Sequence, residues 1–290
     1  MGDELERIDP SYLRLLRIGE LQKRVDALED LLERCTVCPR DCLNNRLRNE
    51  IAACYSGRLP IVSSYTPHFG EEPPLTGTRG AGNIFFGNCN LRCVYCQNYQ
   101  ISQTHKEQIK NEVTHERLAE MMLELQARGC HNINFVSPTH FAPQMARAIL
   151  IAAEQGLHLP IVYNTNAYDS VEVLRLLDGI VDVYLPDLKY AEDEAGFLYS
   201  KVHSYRDISR AAIAEMHRQM GDELILDENG LLKRVNSAVP RYQCQAKSMG
   251  KANLTTGVQV TTDCASIPAP RVRALPCGAP RRALASPGRH

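Results

Sequence analysis

Short apolar runs alternate with amphipathic helical patterns through the middle of the chain. Four runs have the length and apolar character of buried strands: "NIFF" (83–86), "INFV" (133–136), "PIVYN" (160–164) and "VDVYLP" (181–186). A fifth candidate is Leu224-Ile225-Leu226, which follows a helical stretch at 203–220. Strands separated by helices predict repeated βαβ units, and therefore a parallel sheet with right-handed crossovers.

The helices between these strands have recognisable ends. Thr114 is the predicted N-cap of one helix, which Gly129 terminates. A second helix is predicted over 141–155. A shorter one is predicted to begin at Asp169, which pairs with Glu172 as in a capping box. The polar segment between the first strand and the first of these helices, residues 97–113, is predicted to be the longest non-helical connection.

The N-terminal part of the chain has a different pattern. Over residues 11–34, apolar residues recur at i, i+4, i+7 and i+11, as Leu21, Val25, Leu28 and Leu32. This spacing predicts one amphipathic helix, which either packs on the rest of the chain or binds a partner.

Changes in composition divide the chain into four parts. Residues 1–34 form the N-terminal amphipathic helix, 35–80 a Cys-rich metal-binding segment and loop, and 81–234 the strand–helix repeat. From 235 to 290 the only acidic residue is Asp263, and Pro, Arg and Ala dominate the end. We expect this last part to be a basic, poorly ordered tail.

Composition and charge exclude several classes of function. The chain has 290 residues, 44% of them hydrophobic, and a formal net charge of -1. No apolar run reaches the roughly 20 residues that cross a bilayer, and the N-terminus lacks the apolar region of a signal peptide. The charge does not favour nucleic acid, and no aromatic platform accompanies the basic tail. We therefore expect a soluble cytoplasmic protein that binds neither membrane nor nucleic acid.

The eleven cysteines are concentrated in two groups. In a reducing compartment, clustered cysteines bind metal more often than they form disulfides. The second group is Cys89, Cys93 and Cys96, directly after the first predicted strand. A structural zinc or an ordinary four-iron cluster needs four protein ligands, so three thiols suggest a cubane cluster with one iron left open. The isolated Cys130, Cys244, Cys264 and Cys277 are expected to be unligated.

The segment "CNLRCVYC" closely resembles the cluster motif of the radical S-adenosylmethionine (SAM) enzymes. The resemblance implies that Cys89, Cys93 and Cys96 hold a [4Fe–4S] cluster and that the amino and carboxylate groups of SAM chelate the open iron. It also implies reductive cleavage of SAM to a 5′-deoxyadenosyl radical. Tyr95, the aromatic residue before the last cysteine, matches a family ring that lies near the adenine.

A longer resemblance points to the branch related to pyruvate formate-lyase activating enzyme. It extends over about residues 35–234 and is carried by "CTVCPRDCLNNR", "HFGEEPPLTGTRGAGNIFFGNCNLRCVYCQN", "NINFVSPTH" and "YNTNAYDSVEVLRLLDGIVDVYLPDLKY". It implies an α/β fold, a partial (β/α)6 radical SAM barrel of the TIM-like type, with the cluster at the C-terminal ends of the strands. Family members continue after the segment matching "GLLKR" (230–234) with strands that close the barrel, whereas this chain runs into "VNSAVPRYQCQ". We therefore hypothesise a divergent or shifted-frame C-terminus and a barrel without its last strands.

The resemblance also suggests which polar residues at strand ends contact SAM. The candidates are Tyr95, Ser137, Thr139, His140, Asn164, Asn166, Asp187 and Lys189. The segment "SPTHFAP" (137–143) lacks the glycines and the acidic residue that family members often carry there. A structural role for His140, and ordinary strand-end polarity for the others, remain alternatives.

The first cysteine group supplies four thiols, Cys35, Cys38, Cys42 and Cys54. Four thiolates satisfy either a structural zinc or a complete auxiliary iron–sulfur cluster, and the spacing does not choose between them. Arg40, Arg46 and Arg48 are expected to offset the negative charge of such a centre. Four unligated thiols are the alternative.

A further group, His68, Glu71 and Glu72, precedes the first predicted strand on a Pro/Gly loop. A histidine with two carboxylates suits acid–base chemistry or substrate positioning, although a solvated loop explains the glutamates as well.

The predicted function is therefore that of a radical SAM enzyme. Resemblance to the activating enzymes implies hydrogen abstraction from a glycyl-radical-type partner protein, with electrons from a flavodoxin- or ferredoxin-type donor. Two alternatives stay open. One is a radical SAM enzyme that modifies a small molecule or another protein site, and the other is a non-catalytic iron–sulfur or zinc-binding redox module.

Overall fold

A computed structural model describes residues 9–221, 223–226, 230–236 and 271–274 of the chain. The helices of this part are α1 (Ser11–Arg17), α2 (Glu20–Asp30), α3 (Pro73–Thr76), α4 (Tyr99–Ser102), α5 (His105–Gln108), α6 (His115–Ala127), α7 (Ala142–Glu154), α8 (Val171–Leu176), α9 (Asp193–Ser200) and α10 (Tyr205–Met220). The strands are β1 (Val62–His68), β2 (Ala81–Phe86), β3 (Ile133–Val136), β4 (Ile161–Thr165), β5 (Val183–Pro186), β6 (Glu223–Leu226), β7 (Leu232–Asn236) and β8 (Arg271–Ala274). Short 3-10 turns cover Arg46–Arg48, Ile109–Asn111 and Thr139–Phe141.

The main sheet has five strands in the order β1-β2-β3-β4-β5. The strands β2 to β5 are parallel, and they are the four strands that the apolar runs predict. The sheet of the described residues is open, since its two edges, β1 and β5, do not pair. Helices between the parallel strands cover it, so the expected partial TIM-like barrel is confirmed.

The edge strand β1 was not among the predicted strands. It pairs antiparallel with β2, from Val62 opposite Phe86 to His68 opposite Ala81. Pro67 lies within β1, where it is tolerated because an edge strand has a side without hydrogen bonds. After the buried Val62, partly exposed and exposed residues alternate along β1 up to Pro67, as expected for a strand with one face towards the core.

The candidate fifth strand forms, but not in the main sheet. Strand β6 lies in a separate three-stranded sheet of order β7-β6-β8, antiparallel to β7 and parallel to β8. Leu226 packs against a small buried group that includes Val162 and Val183. Of the predicted basic tail, the structure describes only residues 235–236, at the end of β7, and β8, and the rest of that prediction lies outside the described residues.

The N-terminal segment is two helices rather than the one predicted. Gly19 separates α1 from α2 and has φ +69°, a left-handed conformation that ends the first helix. The apolar face is otherwise as expected, because Leu21, Val25, Leu28 and Leu32 are all buried. They belong to the same core cluster as the apolar residues of α7, so this segment packs on the barrel.

The predicted ends of α6 are confirmed. The Thr114 hydroxyl accepts a hydrogen bond of 3.2 Å from the backbone N–H of Arg117, as an N-cap should. Gly129, with φ +84°, lies just beyond the last turn. The helix predicted over 141–155 is α7, and Gly156 follows it with φ +96°.

Two local predictions are wrong. Asp169 does not cap α8, whose N-cap residue is Ser170. The Asp169 carboxylate instead accepts hydrogen bonds from the hydroxyls of Tyr163 and Thr165, at 3.0 and 2.6 Å. The connection 97–113 is not irregular, since α4, α5 and a 3-10 turn occupy most of it. Helix α9 was not predicted at all.

The core lies between the sheet and its covering helices. Phe86, Phe135 and Phe141 form a packed group of rings at its centre, with ring centroids 5.6 and 5.3 Å from Phe86. Among the helices of the described residues, none combines the length and the apolar run that a bilayer crossing requires. This core fixes the positions of the strand ends, from which the candidate site is built.

Candidate functional site

The loop after β2, residues 88–96, carries the three clustered cysteines and is called the cluster loop below. Asn88 and Arg92 have positive φ values, 64° and 54°, which curl the loop tightly. Cys89 and Cys93 are buried, whereas Cys96 is partly exposed. All three line one cavity of about 470 Å³.

Hydrogen-bond donors surround these sulfurs. The Cys89 Sγ accepts from the backbone N–H of Leu91 at 3.4 Å, and the Ser102 hydroxyl is 3.3 Å from the Cys96 Sγ. Burial, and then the neighbouring Cys93, raise the pKa of Cys89 to about 11. In the absence of a positive partner the buried thiol keeps its proton, and the donors are those that a thiolate bound to metal would use.

The three thiols do not converge on one point. Across the part of the chain that the structure describes, no group of three or more His, Cys, Asp or Glu side chains forms a site for a single ion. A cubane cluster binds each thiolate at a different iron, so its ligands need only face a common cavity. The residues of the cluster loop therefore fit a [4Fe–4S] cluster.

Six of the eight predicted SAM contacts line the same cavity. They are Tyr95, Ser137, Asn164, Asn166, Asp187 and Lys189. Apart from Tyr95, these residues lie at or just beyond the carboxyl ends of β3, β4 and β5, which meet at one edge of a parallel sheet. The structure thus brings strand-end polar residues and the cluster loop together.

Asp187 and Lys189 form an ion pair at 2.8 Å, with both side chains largely buried. The second carboxylate oxygen, Asp187 Oδ1, is buried and has no hydrogen-bond partner among the described residues. A buried carboxylate oxygen without a donor is costly, so a bound ligand that donates a hydrogen bond to it would be favoured. This side of the cavity therefore suits a ligand with an ammonium or hydroxyl group.

Asn166 links the strand ends to the cluster loop. Its Nδ2 donates to the Asn90 side-chain oxygen at 2.8 Å and approaches the Cys89 Sγ at 3.5 Å. Its Oδ1 accepts from the backbone N–H of Tyr168 at 3.0 Å. Both the nitrogen and the oxygen of the Asn166 amide are therefore bonded within the protein, and the main effect of this side chain is to hold Cys89 and Asn90 in place.

Thr139 and His140 do not line the cavity, contrary to the expectation. Both are buried, and the Thr139 hydroxyl pairs with that of Thr165 at 3.0 Å. The His140 Nε2 lies 3.0 Å from the carbonyl oxygen of Gly87, to which it donates. Burial lowers the pKa of His140 to about 3, so the ring is neutral. His140 therefore has the structural role that the sequence analysis gave as the alternative.

His68 and Glu71 line the cavity, whereas Glu72 does not. His68 ends β1, and Glu71 Oε1 accepts from the Asn83 amide at 3.2 Å. Asn83 in turn accepts from the amide of Asn134 at 3.0 Å, in the buried interior of the sheet. A chain of hydrogen bonds therefore connects Asn134 in the barrel interior, through Asn83, to Glu71 at the cavity on the side of β1.

Sequence reasoning missed several cavity residues. They are Asn88, Arg92, Asn98, Ser102 and Thr165, together with apolar wall residues such as Phe85 and Val136. The residues close to the cysteine motif could have been suspected from their position alone. No signal in the sequence marked Ser102, which reaches Cys96 only because α4 turns the chain back.

The four-cysteine segment, residues 35–54, lies outside this cavity. Cys35, Cys38 and Cys54 are buried and Cys42 is partly exposed, and all four are free thiols. Burial raises the pKa of Cys38, and the nearby Cys54, Cys35 and Cys42 raise it further, so the four sulfurs are electrostatic neighbours. Because the described residues bring no three of these sulfurs to a single-ion site, the donor set suits a cluster whose irons take one thiolate each better than one tetrahedral ion.

The basic residues of this segment do not act as expected for a shared counter-charge. Arg46 is fully buried and donates to the carbonyl oxygens of Gly57 and His140, at 3.1 and 2.6 Å. Arg48 is exposed. Burial raises the pKa of Cys42, and the charge of Arg40 opposes this shift by favouring the thiolate.

Comparison with known proteins identifies the domain that carries the cavity. Residues 83–224 match the model of the Radical SAM superfamily. Two uncharacterized proteins of Methanocaldococcus jannaschii are similar to the chain. One is 31% identical over 228 residues, which cover 77% of this chain and 64% of the relative. The other is 28% identical over 191 residues, which cover 61% and 54%. The chain thus spans less than two thirds of the length of either relative.

Proposed function

Because residues 83–224 form a radical SAM superfamily domain, we propose that the chain is a radical SAM enzyme whose cluster is held by Cys89, Cys93 and Cys96. The observation that supports this best is the shared cavity, which the three thiols and the polar strand ends line together. When bound, the reduced [4Fe–4S] cluster and SAM supply a 5′-deoxyadenosyl radical, which abstracts a hydrogen atom from an otherwise unreactive C–H bond.

The chain itself contributes positioning, charge and exclusion of water. Asp187, with its unpartnered oxygen, is placed to accept a hydrogen bond from the amino or hydroxyl groups of SAM. Lys189, paired with it, holds the carboxylate in orientation. The Tyr95 ring, in the cluster loop, packs edge-on against Tyr190 and Tyr199, with centroids 6.0 and 6.1 Å away, and adds an aromatic wall to the cavity. Such walls keep water from a reactive radical.

The radical needs a target with a C–H bond that it can attack. We propose a glycyl-radical-type partner protein as the substrate, as in the activating enzymes, with a flavodoxin or ferredoxin as electron donor in the cytoplasm. A polar small molecule or another protein site is the second candidate. The observation that favours it is the pair His68 and Glu71, which gives the cavity acid–base groups on the side of β1.

The four-cysteine segment is proposed to hold a second metal. Four thiolates complete either an auxiliary iron–sulfur cluster or a structural zinc, and the lack of a single-ion site among the described residues favours the cluster. Such a site leaves no open position, so its role is to order the chain or relay electrons.

Anaerobic reconstitution followed by dithionite and SAM tests the enzymatic proposal. We expect 5′-deoxyadenosine from the native chain and none from Cys93→Ala. The matched control is Cys130→Ala, which removes another buried thiol, one outside the cavity. Iron bound without 5′-deoxyadenosine would contradict the proposal and favour a non-catalytic redox module.

The proposed partner needs a separate test. Co-expression with candidate glycyl-radical proteins, followed by electron paramagnetic resonance (EPR), should give a protein-centred glycyl doublet. Formation of 5′-deoxyadenosine without that doublet for every partner tested would favour the small-molecule alternative.

A further inference from the structure

The four-cysteine segment contacts the cluster loop through Arg40, which lies in its middle. The guanidinium of Arg40 donates to four backbone carbonyl oxygens, and two of these, of Asn90 and Leu91, belong to the cluster loop. The other two, of Ser200 and Lys201, lie at the end of α9, at 2.9 and 3.3 Å. One planar cation therefore ties the segment, the loop and the helix together.

A second contact lies at the other end of the segment, beside Cys54. The Arg92 guanidinium donates to the carbonyl oxygen of Ala53 at 3.4 Å and lies over the Tyr55 ring, 4.4 Å from its centroid. The Asn88 amide donates to the carbonyl oxygen of Tyr55 at 3.0 Å. Both Asn88 and Arg92 are the loop residues with positive φ, so the contact falls where the loop changes direction.

A third contact passes through Tyr168. Its hydroxyl is 3.4 Å from the carbonyl oxygen of Pro39, the residue between Cys38 and Arg40. Its own carbonyl oxygen accepts from the Asn90 amide at 2.9 Å. The segment thus contacts Asn90 both directly, through Arg40, and indirectly, through Tyr168. Asn90 is the sequence neighbour of Cys89.

How well these three contacts are ordered depends on the backbone between the four cysteines. Little regular structure holds residues 35–54, apart from one 3-10 turn. A metal that cross-links four points of such a segment removes much of its conformational freedom. Arg40 lies between two of those points, Cys38 and Cys42, so a metal bound there restricts the backbone that carries its side chain.

We propose that the four-cysteine segment, once it binds metal, clamps the cluster loop in its working conformation, and that Arg40 is the positioning residue that couples the two cysteine sites. This rests on the proposed function, because it takes both cysteine groups as metal sites. In this clamp, occupancy of the first site adds to the order of the cluster loop, which Asn166 also holds at Asn90, and no metal–metal contact is required.

Amide hydrogen exchange of residues 88–96 tests the clamp without SAM chemistry. The full chain carries Cys89→Ser, Cys93→Ser and Cys96→Ser, so that metal binds only at the four-cysteine segment. Iron with sulfide is the first probe, and Zn²⁺ is the second. With either probe that binds, we expect exchange in the cluster loop to slow by about tenfold or more, the effect of one hydrogen bond from a charged donor.

Substitutions of Arg40 decide whether it carries the coupling. Arg40→Ala should keep the bound metal and lose the slowing, and Arg40→Lys should keep only part of it, because an ammonium cannot donate to four carbonyls in a planar array. Arg48→Ala is the matched control, since Arg48 is an exposed arginine of the same segment.

Three results would overturn the clamp. They are equal loop exchange with and without bound metal, full slowing in Arg40→Ala, and binding of neither probe by the four cysteines. The last result also refutes the proposed second metal site, but it leaves 5′-deoxyadenosine formation by the native chain unaffected. Failure of the clamp and failure of the enzymatic proposal are therefore distinguishable.

Discussion

Arg46 is the residue whose removal should destabilise the fold most clearly. Its side chain is 1% exposed, and it joins the four-cysteine segment to the turn after β3. The guanidinium donates to Gly57 and His140 and lies over the Phe141 ring, 5.5 Å from the centroid. Its Nη2 is buried without a hydrogen-bond partner among the described residues, so the bonds at Nε and Nη1 and the ring contact are what stabilise this buried cation.

The cost of Arg46→Ala follows from these contacts. Each hydrogen bond from a charged group contributes about 1.5–3 kcal/mol. Loss of two such bonds therefore lowers the free energy of unfolding by roughly 3–6 kcal/mol, and loss of the cation–π contact adds to this. Since a domain is stable by only about 5–15 kcal/mol, the variant should be close to unfolding.

Urea denaturation followed by circular dichroism measures the change. Arg46→Lys should lie between Ala and the native residue, because it keeps the charge and one of the bonds. Arg48→Ala, at an exposed position two residues away, should change the free energy of unfolding by less than about 0.5 kcal/mol. An Arg46→Ala protein within about 1 kcal/mol of the native chain would refute this reasoning.

Three further changes test other parts of the structure. Because burial lowers the pKa of His140 to about 3, only the unfolded chain takes up this proton below about pH 6.5. The titration of His140 therefore lowers the free energy of unfolding by about 1.4 kcal/mol per pH unit as the pH falls from 6.5 towards 3. His140→Gln should flatten that slope in urea titrations, and an unchanged slope would contradict the assignment. Ser102→Ala removes a hydrogen bond to Cys96 and should lower the cluster's reduction potential by tens of millivolts in an EPR redox titration; no shift, or an upward one, would count against it. Thr114→Ala removes an N-cap and should cost about 1 kcal/mol by thermal unfolding, whereas a neutral effect would mean that the cap contributes nothing.

The strands and the cluster site were predictable because their signals are local. Apolar runs of strand length between amphipathic helices left few alternatives to a parallel sheet, and β2 to β5 appear where the runs are. Since parallel strands end at one edge, the sequence alone predicts that residues such as Asn164 and Asp187 lie near Cys89, where they line the same cavity.

The errors arise where tertiary contacts override local preference. Asp169 has the sequence of a helix cap, but the hydroxyls of Tyr163 and Thr165 bind its carboxylate in the core instead. His140 follows a strand like a site residue, yet the packing of its turn directs the ring towards Gly87. The break between α1 and α2 had a signal in the sequence at Gly19, because glycine in a helix interior costs about 1 kcal/mol relative to alanine.

The most direct test of the site asks whether SAM binds the cluster itself. The reconstituted chain is reduced with dithionite, and EPR with electron–nuclear double resonance is recorded with SAM labelled by ¹⁵N at its amino group. Three thiolate ligands and an open iron predict a hyperfine coupling from that nitrogen, which Cys93→Ala should lack. A native cluster whose spectrum SAM leaves unchanged, without nitrogen coupling, would contradict the open iron position.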